Sequence, residues 1–354
     1  MAGKRALVIS GGGSRGSFGV GAASWLMEAL GMEFDIFAGT STGALIAPML
    51  AAQGKAALPE LRRQYTTVKT GDIIKPRIFN PLKLSLTSWY YSDPLKKRVD
   101  AGMTDALYQQ LVSSGRQLVL TTVDLQTGKI VYFQTGPSVP LDPNDAGEAA
   151  IVPITSRKQL VDAMVASSSI PFFMPPQKLS VDGKTDPIVD GGVREYAPIE
   201  IAIQAGAEEI WCLVLMPEPR VVTGKPKPYD NVVDITQRTV DLLSREVGES
   251  DIKLSSLYTE AILYVDELRR RLVQKLPSAA TDIDEVFRTT PDNPFADKKP
   301  VRLHVIRPQK ELEGDTLRFD PGEMKTNLKY GCSVARQMFP RDDLPADWCD
   351  RLVK

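Results

Sequence analysis

Residues 34–54 read FDIFAGTSTGALIAPMLAAQG, and the change of rhythm inside that stretch decides the fold class. Phe34 to Ala38 is a short apolar run of strand length. Thr42 to Gln53 is a helix pattern that stops at Gly54, the residue type that commonly follows a helix C-terminus. Only Gly39-Thr40-Ser41-Thr42-Gly43 lies between them, so the chain must turn sharply from strand into helix. Glycine on either side of Ser41 lets the two backbones approach without a Cβ clash. The pentapeptide satisfies G-x-S-x-G, in which the serine occupies a strained turn at a helix N-terminus whose N–H groups can stabilise negative charge. The string alone is a weak signal, and its placement between strand and helix gives it weight. The plain alternative is a βα turn with no chemistry.

The same rhythm occurs upstream, where Arg5 to Ser10 is a short apolar run ending on glycines and a helix pattern follows from Ser17 to Leu30. Two successive strand, glycine turn and helix units predict an α/β fold with a mostly parallel central sheet. Further strands are expected at Gln117–Val123, Lys129–Gln134, Ile188–Val189, Glu209–Leu215 and Val301–Ile306, with an antiparallel hairpin about Gln126-Thr127-Gly128. Two segments break the pattern. Residues 69–98 hold seven Lys/Arg against two acids, interleaved with Ile73, Ile74, Ile78, Phe79, Trp89, Tyr90 and Tyr91. Residues 230–275 read as long amphipathic helix, with Leu242, Leu243, Leu254, Leu257 and Ile262 on helical spacing. Pro217–Pro228 between them is a Pro-rich basic loop.

A chain of 354 residues with a formal net charge of −1 can bury a substantial core and lacks the basic excess of a nucleic-acid binder. Three cysteines, Cys212, Cys332 and Cys349, cannot all pair and match no zinc spacing, so free thiols are expected and no metal. The apolar stretch at the N-terminus is too short for a signal-peptide core, and no run approaches the ~18 apolar residues of a membrane span. The expected location is cytoplasmic, and a membrane lipid would have to be reached by peripheral contact.

Gly11-Gly12-Gly13-Ser14-Arg15-Gly16 follows the first strand and exposes successive backbone N–H groups able to converge on an anion. This loop serves either an oxyanion or a dinucleotide, because Gly11, Gly13 and Gly16 also fit G-x-G-x-x-G. Asp35 stands near the distance of a ribose-binding acid, and Tyr65 and Lys69 form a Y-x-x-x-K pair. Against the dinucleotide, that pair comes too early in the chain, and Asp35 can simply begin the second strand. Asp190-Gly191-Gly192 reads in isolation as a tight turn. The single histidine, His304, sits in the strand pattern VRLHVI and reads as a structural imidazole. If Ser41 is a nucleophile, its base must then be something other than histidine, and a carboxylate at a glycine-flanked strand end is the natural supplier.

Taken together, Gly11–Gly16, Gly39–Gly43 and Asp190–Gly192, with the block Ala166-Ser167-Ser168-Ser169-Ile170-Pro171, resemble the patatin-like phospholipases. The resemblance runs from residue 4 to about 216, with a weaker echo over 301–339, while 230–300 matches nothing. It implies a three-layer α/β/α fold with Ser41 on a nucleophile elbow bounded by Gly39 and Gly43. Asp190 would be the base of a Ser–Asp dyad, and no cofactor would be needed. The oxyanion hole would come from the set Gly11, Gly12, Gly13, Arg15, Gly16 and Thr42. Within it Gly12 and Gly13, with Thr42, would donate N–H groups and Arg15 would order the loop. One departure is Ser10, where plant members often carry aspartate. The expected organisation is a single hydrolase domain over 1–354, with a basic aromatic cap at 69–98 and a helical insertion at 230–300. The expected activity is cleavage of fatty acyl esters of lipid or phospholipid. A latent lipid- or partner-binding protein and a dinucleotide-dependent oxidoreductase are the alternatives.

Overall fold

The computed structural model describes residues 3–77, 87–141, 147–218, 229–289 and 299–353. From the N-terminus, β1 (Lys4–Ile9) leads through the glycine loop to α1 (Gly16–Ser24), and β2 (Ile36–Thr40) leads to α2 (Thr42–Gln53). Next come α3 (Leu58–Thr67), α4 (Thr70–Ile73), the two-residue strands β3 (Lys75–Pro76) and β4 (Tyr90–Tyr91), α5 (Asp93–Gly102) and α6 (Asp105–Ser113). The middle of the chain holds β5 (Gln117–Asp124), β6 (Ile130–Thr135), β7 (Ala149–Pro153), α7 (Arg157–Ser167), β8 (Gln177–Val181) and β9 (Lys184–Asp190). After α8 (Ile199–Gln204) and β10 (Ala207–Leu213) come α9 (Val232–Lys275), α10 (Ala280–Thr289), β11 (Arg302–Ile306), α11 (Pro321–Met338) and α12 (Trp348–Arg351).

The main sheet runs β11-β10-β1-β2-β5-β6-β7, with β9 added to β5 and β8 to β9. Pairing is parallel from β11 across to β5 and antiparallel between β5 and β6. Strand periodicity sorts the core into two layers. Leu7, Ile9 and Phe37 face one side, with α1, α2 and α11; Ala6, Val8, Ile36 and Ala38 face the other, with Ile199 and Ile201 of α8. The fold is therefore the expected α/β sheet with helices on both faces. On the first face α1 and α11 meet backbone to backbone, since a Cβ on Gly21 would lie 1.9 Å from the Leu328 carbonyl oxygen.

Three expectations need correction. Cys332 and Cys349 are not free thiols: α12 folds back on α11, bringing their Cα atoms to 5.7 Å, and the two are joined as a disulfide, leaving Cys212 as the buried free cysteine. The helix pattern over 17–30 is an α-helix only to Ser24, after which Trp25–Ala29 widens into a π turn. Of the apolar residues aligned along 230–275, Ile262 is buried, whereas Leu242, Leu243, Leu254 and Leu257 face outward. In the segment 69–98, Ile73 and Ile74 join the core and Tyr91 is exposed; Ile78 and Phe79 lie outside the described residues, as do 219–228 of the Pro-rich loop.

Candidate active site

The register of β5 brings the two motifs together. Along one edge of β5, β2 pairs from Ile36↔Gln117 to Thr40↔Thr121. The next positions on that edge belong to β9, which enters from the opposite direction as Asp190↔Thr122, Val189↔Val123 and Ile188↔Asp124. The ends of β2 and β9 thus meet head to head at consecutive β5 residues. Ser41 follows Thr40 directly, so its side chain and that of Asp190 emerge at the same point, 149 positions apart in sequence.

The turn at Ser41 has the strain its motif implies. Ser41 has φ 56° and ψ −120°, a left-handed conformation unfavourable to any residue with a Cβ. The glycines on either side allow it: a Cβ on Gly43 would lie 2.1 Å from the Ile9 carbonyl oxygen, and one on Gly39 would lie 2.4 Å from that of Gly43. The backbone of Ser41 is then clamped from α7 and its C-terminal turn. Its N–H donates to Ser167 Oγ at 3.0 Å, and its carbonyl accepts from Ser168 Oγ at 3.1 Å. Ser167 Oγ in turn donates to the Thr121 carbonyl, fixing the elbow to β5. The sequence showed this serine block without its role; three small hydroxyl residues before Ile-Pro were the available signal.

Asp190 is 5% exposed. Its Oδ1 accepts the Gly192 N–H at 2.8 Å, so the D-G-G turn holds the carboxyl in place. Oδ2 is buried without a partner at hydrogen-bonding geometry among the described residues. Burial pushes the pKa from the ordinary 3.8 to about 7, and the nearby Ser41 hydroxyl and the Gly192 N–H limit the rise. The Ser41 hydroxyl is thus near enough to act on the carboxyl while its hydrogen bond is not drawn tight, as in many unliganded sites.

The glycine loop lies against the same point. Gly11 packs on Ser41, where a Cβ would stand 3.4 Å from that of Ser41 and 2.8 Å from the Tyr196 ring. Its N–H donates to the Tyr196 carbonyl and is unavailable to a ligand. The Gly12, Gly13 and Thr42 N–H groups have no acceptor among the described residues. Arg15 pairs with Asp241 of α9, at 3.7 Å, and Gly16 packs beneath Thr42, whose hydroxyl bonds Tyr65. The available donors therefore come from Gly12, Gly13 and Thr42, while Gly11, Arg15 and Gly16 set the shape of the loop. A small cavity of about 40 Å³ separates the loop from Asp190; its lining includes Ser41, Ile170, Val193, Tyr196, Val240 and Ser244.

The remaining sequence candidates fall elsewhere. His304 lies on β11 at the far edge of the sheet, stacked on Trp211 and bonded to Glu209 at 3.0 Å. Asp35 is exposed and accepts the Arg5 N–H at the start of β2, away from the glycine loop, whereas Tyr65 is buried beneath Gly16 of that loop with its hydroxyl taken by Thr42. Asp251 of α9 went unnoticed in the sequence. It accepts the Tyr196 and Ala197 N–H groups at 2.9 and 2.8 Å, tying α9 to the loop that follows Asp190. No cluster suited to a metal ion occurs among the described residues.

The structure thus places a serine on a strained strand-to-helix elbow beside a buried carboxyl at the end of a mostly parallel α/β sheet. The model of the family described as Patatin-like phospholipase matches residues 7–203, more than half of the chain, and the chain belongs to that family of lipid acyl hydrolases. Among individual proteins, Uncharacterized protein YqhO of Bacillus subtilis (strain 168) is 28% identical over 224 residues, 60% of this chain and 72% of the relative. Among solved structures, VipD from Legionella pneumophila aligns over 95% of this chain and 67% of its own, with a TM-score of 0.40 and 10% identity.

Proposed function

We propose that the protein hydrolyses fatty acyl esters of lipids, phospholipids among them, through a dyad of Ser41 and Asp190. The observation that carries this reading is the meeting of β2 and β9 on β5, which sets Ser41 beside a buried carboxyl with one oxygen unpartnered. In the first step the Ser41 hydroxyl gives its proton to Asp190 as Oγ attacks the ester carbonyl. The tetrahedral oxyanion is held by the Gly12 and Gly13 N–H groups, with Thr42 N–H at the helix end. Asp190 returns the proton to the departing alcohol, leaving an acyl-enzyme on Ser41. Water then gives a proton to the same carboxylate as it attacks the acyl carbonyl, and as the bond to Oγ breaks Asp190 returns the proton to Ser41, freeing the fatty acid.

A carboxylate with a pKa near 7 suits this role better than an ordinary aspartate, since base strength rises with pKa while enough of the ionised form persists at neutral pH. The oxyanion donors contribute on the order of 3 kcal/mol each to the barrier. The test is release of fatty acid from mixed-micelle phospholipid by wild type, Ser41→Ala and Asp190→Asn. The proposal expects loss of turnover in both variants, and wild-type rates in either would refute it.

A further inference from the structure

α9 meets the core through Val233, Val240, Ile252 and Ile262 and through charged side chains, and leaves other apolar side chains bare. It runs for 44 residues, about 66 Å, and the side it turns to the core carries polar anchors. Asp241 accepts from Thr316 Oγ1 at 2.8 Å, Arg245 pairs with Glu311 at 3.1 Å, and Glu249 pairs with Arg307. At 100° per residue Val232, Leu243, Leu254 and Leu257 lie on the opposite side, with Ile235 and Leu242 on the flank next to Glu249, and all six are between 48% and 67% exposed. Six such side chains leave roughly 600 Å² of apolar surface bare, at the upper limit for a monomer.

The first half of this helix roofs the catalytic cavity, since Val240, Asp241 and Ser244 line it. At about 40 Å³ that cavity holds little more than a water molecule, while an acyl ester requires several hundred. Across the cavity, Ile170 and Pro171 of its lining run into Phe172, which has φ 69° and is 61% exposed. That strained backbone is pinned, because the Trp89 N–H donates to the Phe172 carbonyl and the Tyr90 N–H to that of Phe173. Phe173 therefore points inward against Trp89 and Tyr90, and Phe172 is held outward. Trp89 and Tyr90 belong to the segment 69–98, whose described residues carry the cations Lys69, Lys75, Arg77, Lys96, Lys97 and Arg98 against Asp72 and Asp93, with Lys96 paired to Asp162.

We propose that the outward apolar face of α9, together with Phe172, seats the protein on an anionic phospholipid bilayer, and that α9 closes the Ser41 cavity until it does so. Leucine and phenylalanine side chains enter the interface, and the cationic segment beside Phe172 complements the lipid headgroups. The docking half stands independently of catalysis; the closing half rests on the reading of Ser41 as nucleophile.

Docking is tested with full-length Ser41→Ala protein by co-sedimentation with vesicles of phosphatidylcholine, with or without a quarter phosphatidylglycerol. Binding is expected only with the anionic lipid and should weaken with salt. Leu242→Ser/Leu243→Ser and, separately, Phe172→Ser should each weaken it by roughly tenfold with circular dichroism unchanged. Failure of the parent to bind, or equal binding by all three proteins, would overturn the proposal. So would a dimer in light scattering that the Leu242→Ser/Leu243→Ser protein loses. For the closing half, fluorophosphonate labelling of Ser41 in otherwise wild-type protein should accelerate at least about tenfold on anionic vesicles, as expected of a minor open state made dominant. Labelling that is fast and indifferent to vesicles would overturn that half. Binding without any labelling would count against Ser41 as nucleophile while supporting the docking face.

Discussion

Asp190→Asn should make the protein more resistant to unfolding at alkaline pH as it removes activity, and the size of the gain follows from burial. In the folded protein the carboxyl ionises at about 7, against an ordinary 3.8. The raised value means that the folded state holds the proton more tightly than the unfolded chain. Its contribution is therefore most favourable below the unfolded pKa and is lost as pH rises through the folded one. A difference of about three units, at about 1.4 kcal/mol each, gives a penalty of about 4 kcal/mol above neutrality. Asparagine has no charge to bury and keeps the oxygen that accepts from Gly192. Its Nδ2, however, takes the place of the unpartnered Oδ2, at a cost of about 1–3 kcal/mol. The net gain above neutrality should be about 1–3 kcal/mol, and below pH ~4 the variant should be equal or slightly weaker. Urea unfolding of both proteins between pH 4 and 8 measures this as a difference, in which Asp251 and Glu195, also raised by burial, cancel to first order. Stability curves that stay parallel across that range would refute the buried ionisation and the base strength derived from it.

Other consequences are independent of that titration. Acylation in wild type should rise with pH to a plateau with a midpoint near 7, read from kcat/KM on a soluble ester, because only ionised Asp190 takes the Ser41 proton; a flat profile from pH 5 to 9 would count against the dyad. Ser167→Ala removes the acceptor of the Ser41 N–H and should lower kcat by roughly tenfold with KM little changed, a loss of about 1–1.5 kcal/mol. Gly43→Ala places a Cβ 2.1 Å from the Ile9 carbonyl oxygen and should cost more than about 3 kcal/mol, visible as loss of soluble folded protein. Reducing Cys332–Cys349, which closes a loop with a sequence separation of 17, should lower stability by about 3 kcal/mol in urea titrations with and without reductant.

What the sequence reveals and what it hides divide by distance along the chain. The elbow is legible because strand, turn and helix are contiguous in residues 34–54, and Thr42–Gln53 is the helix observed. Asp190 could be reached only by setting His304 aside, since its meeting with Ser41 depends on the register of β5, which no local pattern encodes. β7 is apolar over Ala149–Val152 but only five residues long, with alternate positions buried, and β8 buries Val181 alone, so neither stands out as a strand. The clamp from Ser167 and Ser168 is a tertiary contact made by residues that look like any turn. The disulfide escaped because composition counts cysteines without locating them. Helical spacing in 230–275 identified the helix correctly but not which side faces the core, because the buried side is held by Asp241, Arg245 and Glu249 rather than by leucine.

The most direct test of the central claim is intact mass after reaction with a fluorophosphonate in the presence of anionic vesicles, comparing wild type, Ser41→Ala and Asp190→Asn. The account predicts a single adduct on wild type, none on Ser41→Ala and a strongly slowed adduct on Asp190→Asn. An adduct that persists in Ser41→Ala, or forms at the wild-type rate in Asp190→Asn, would contradict it.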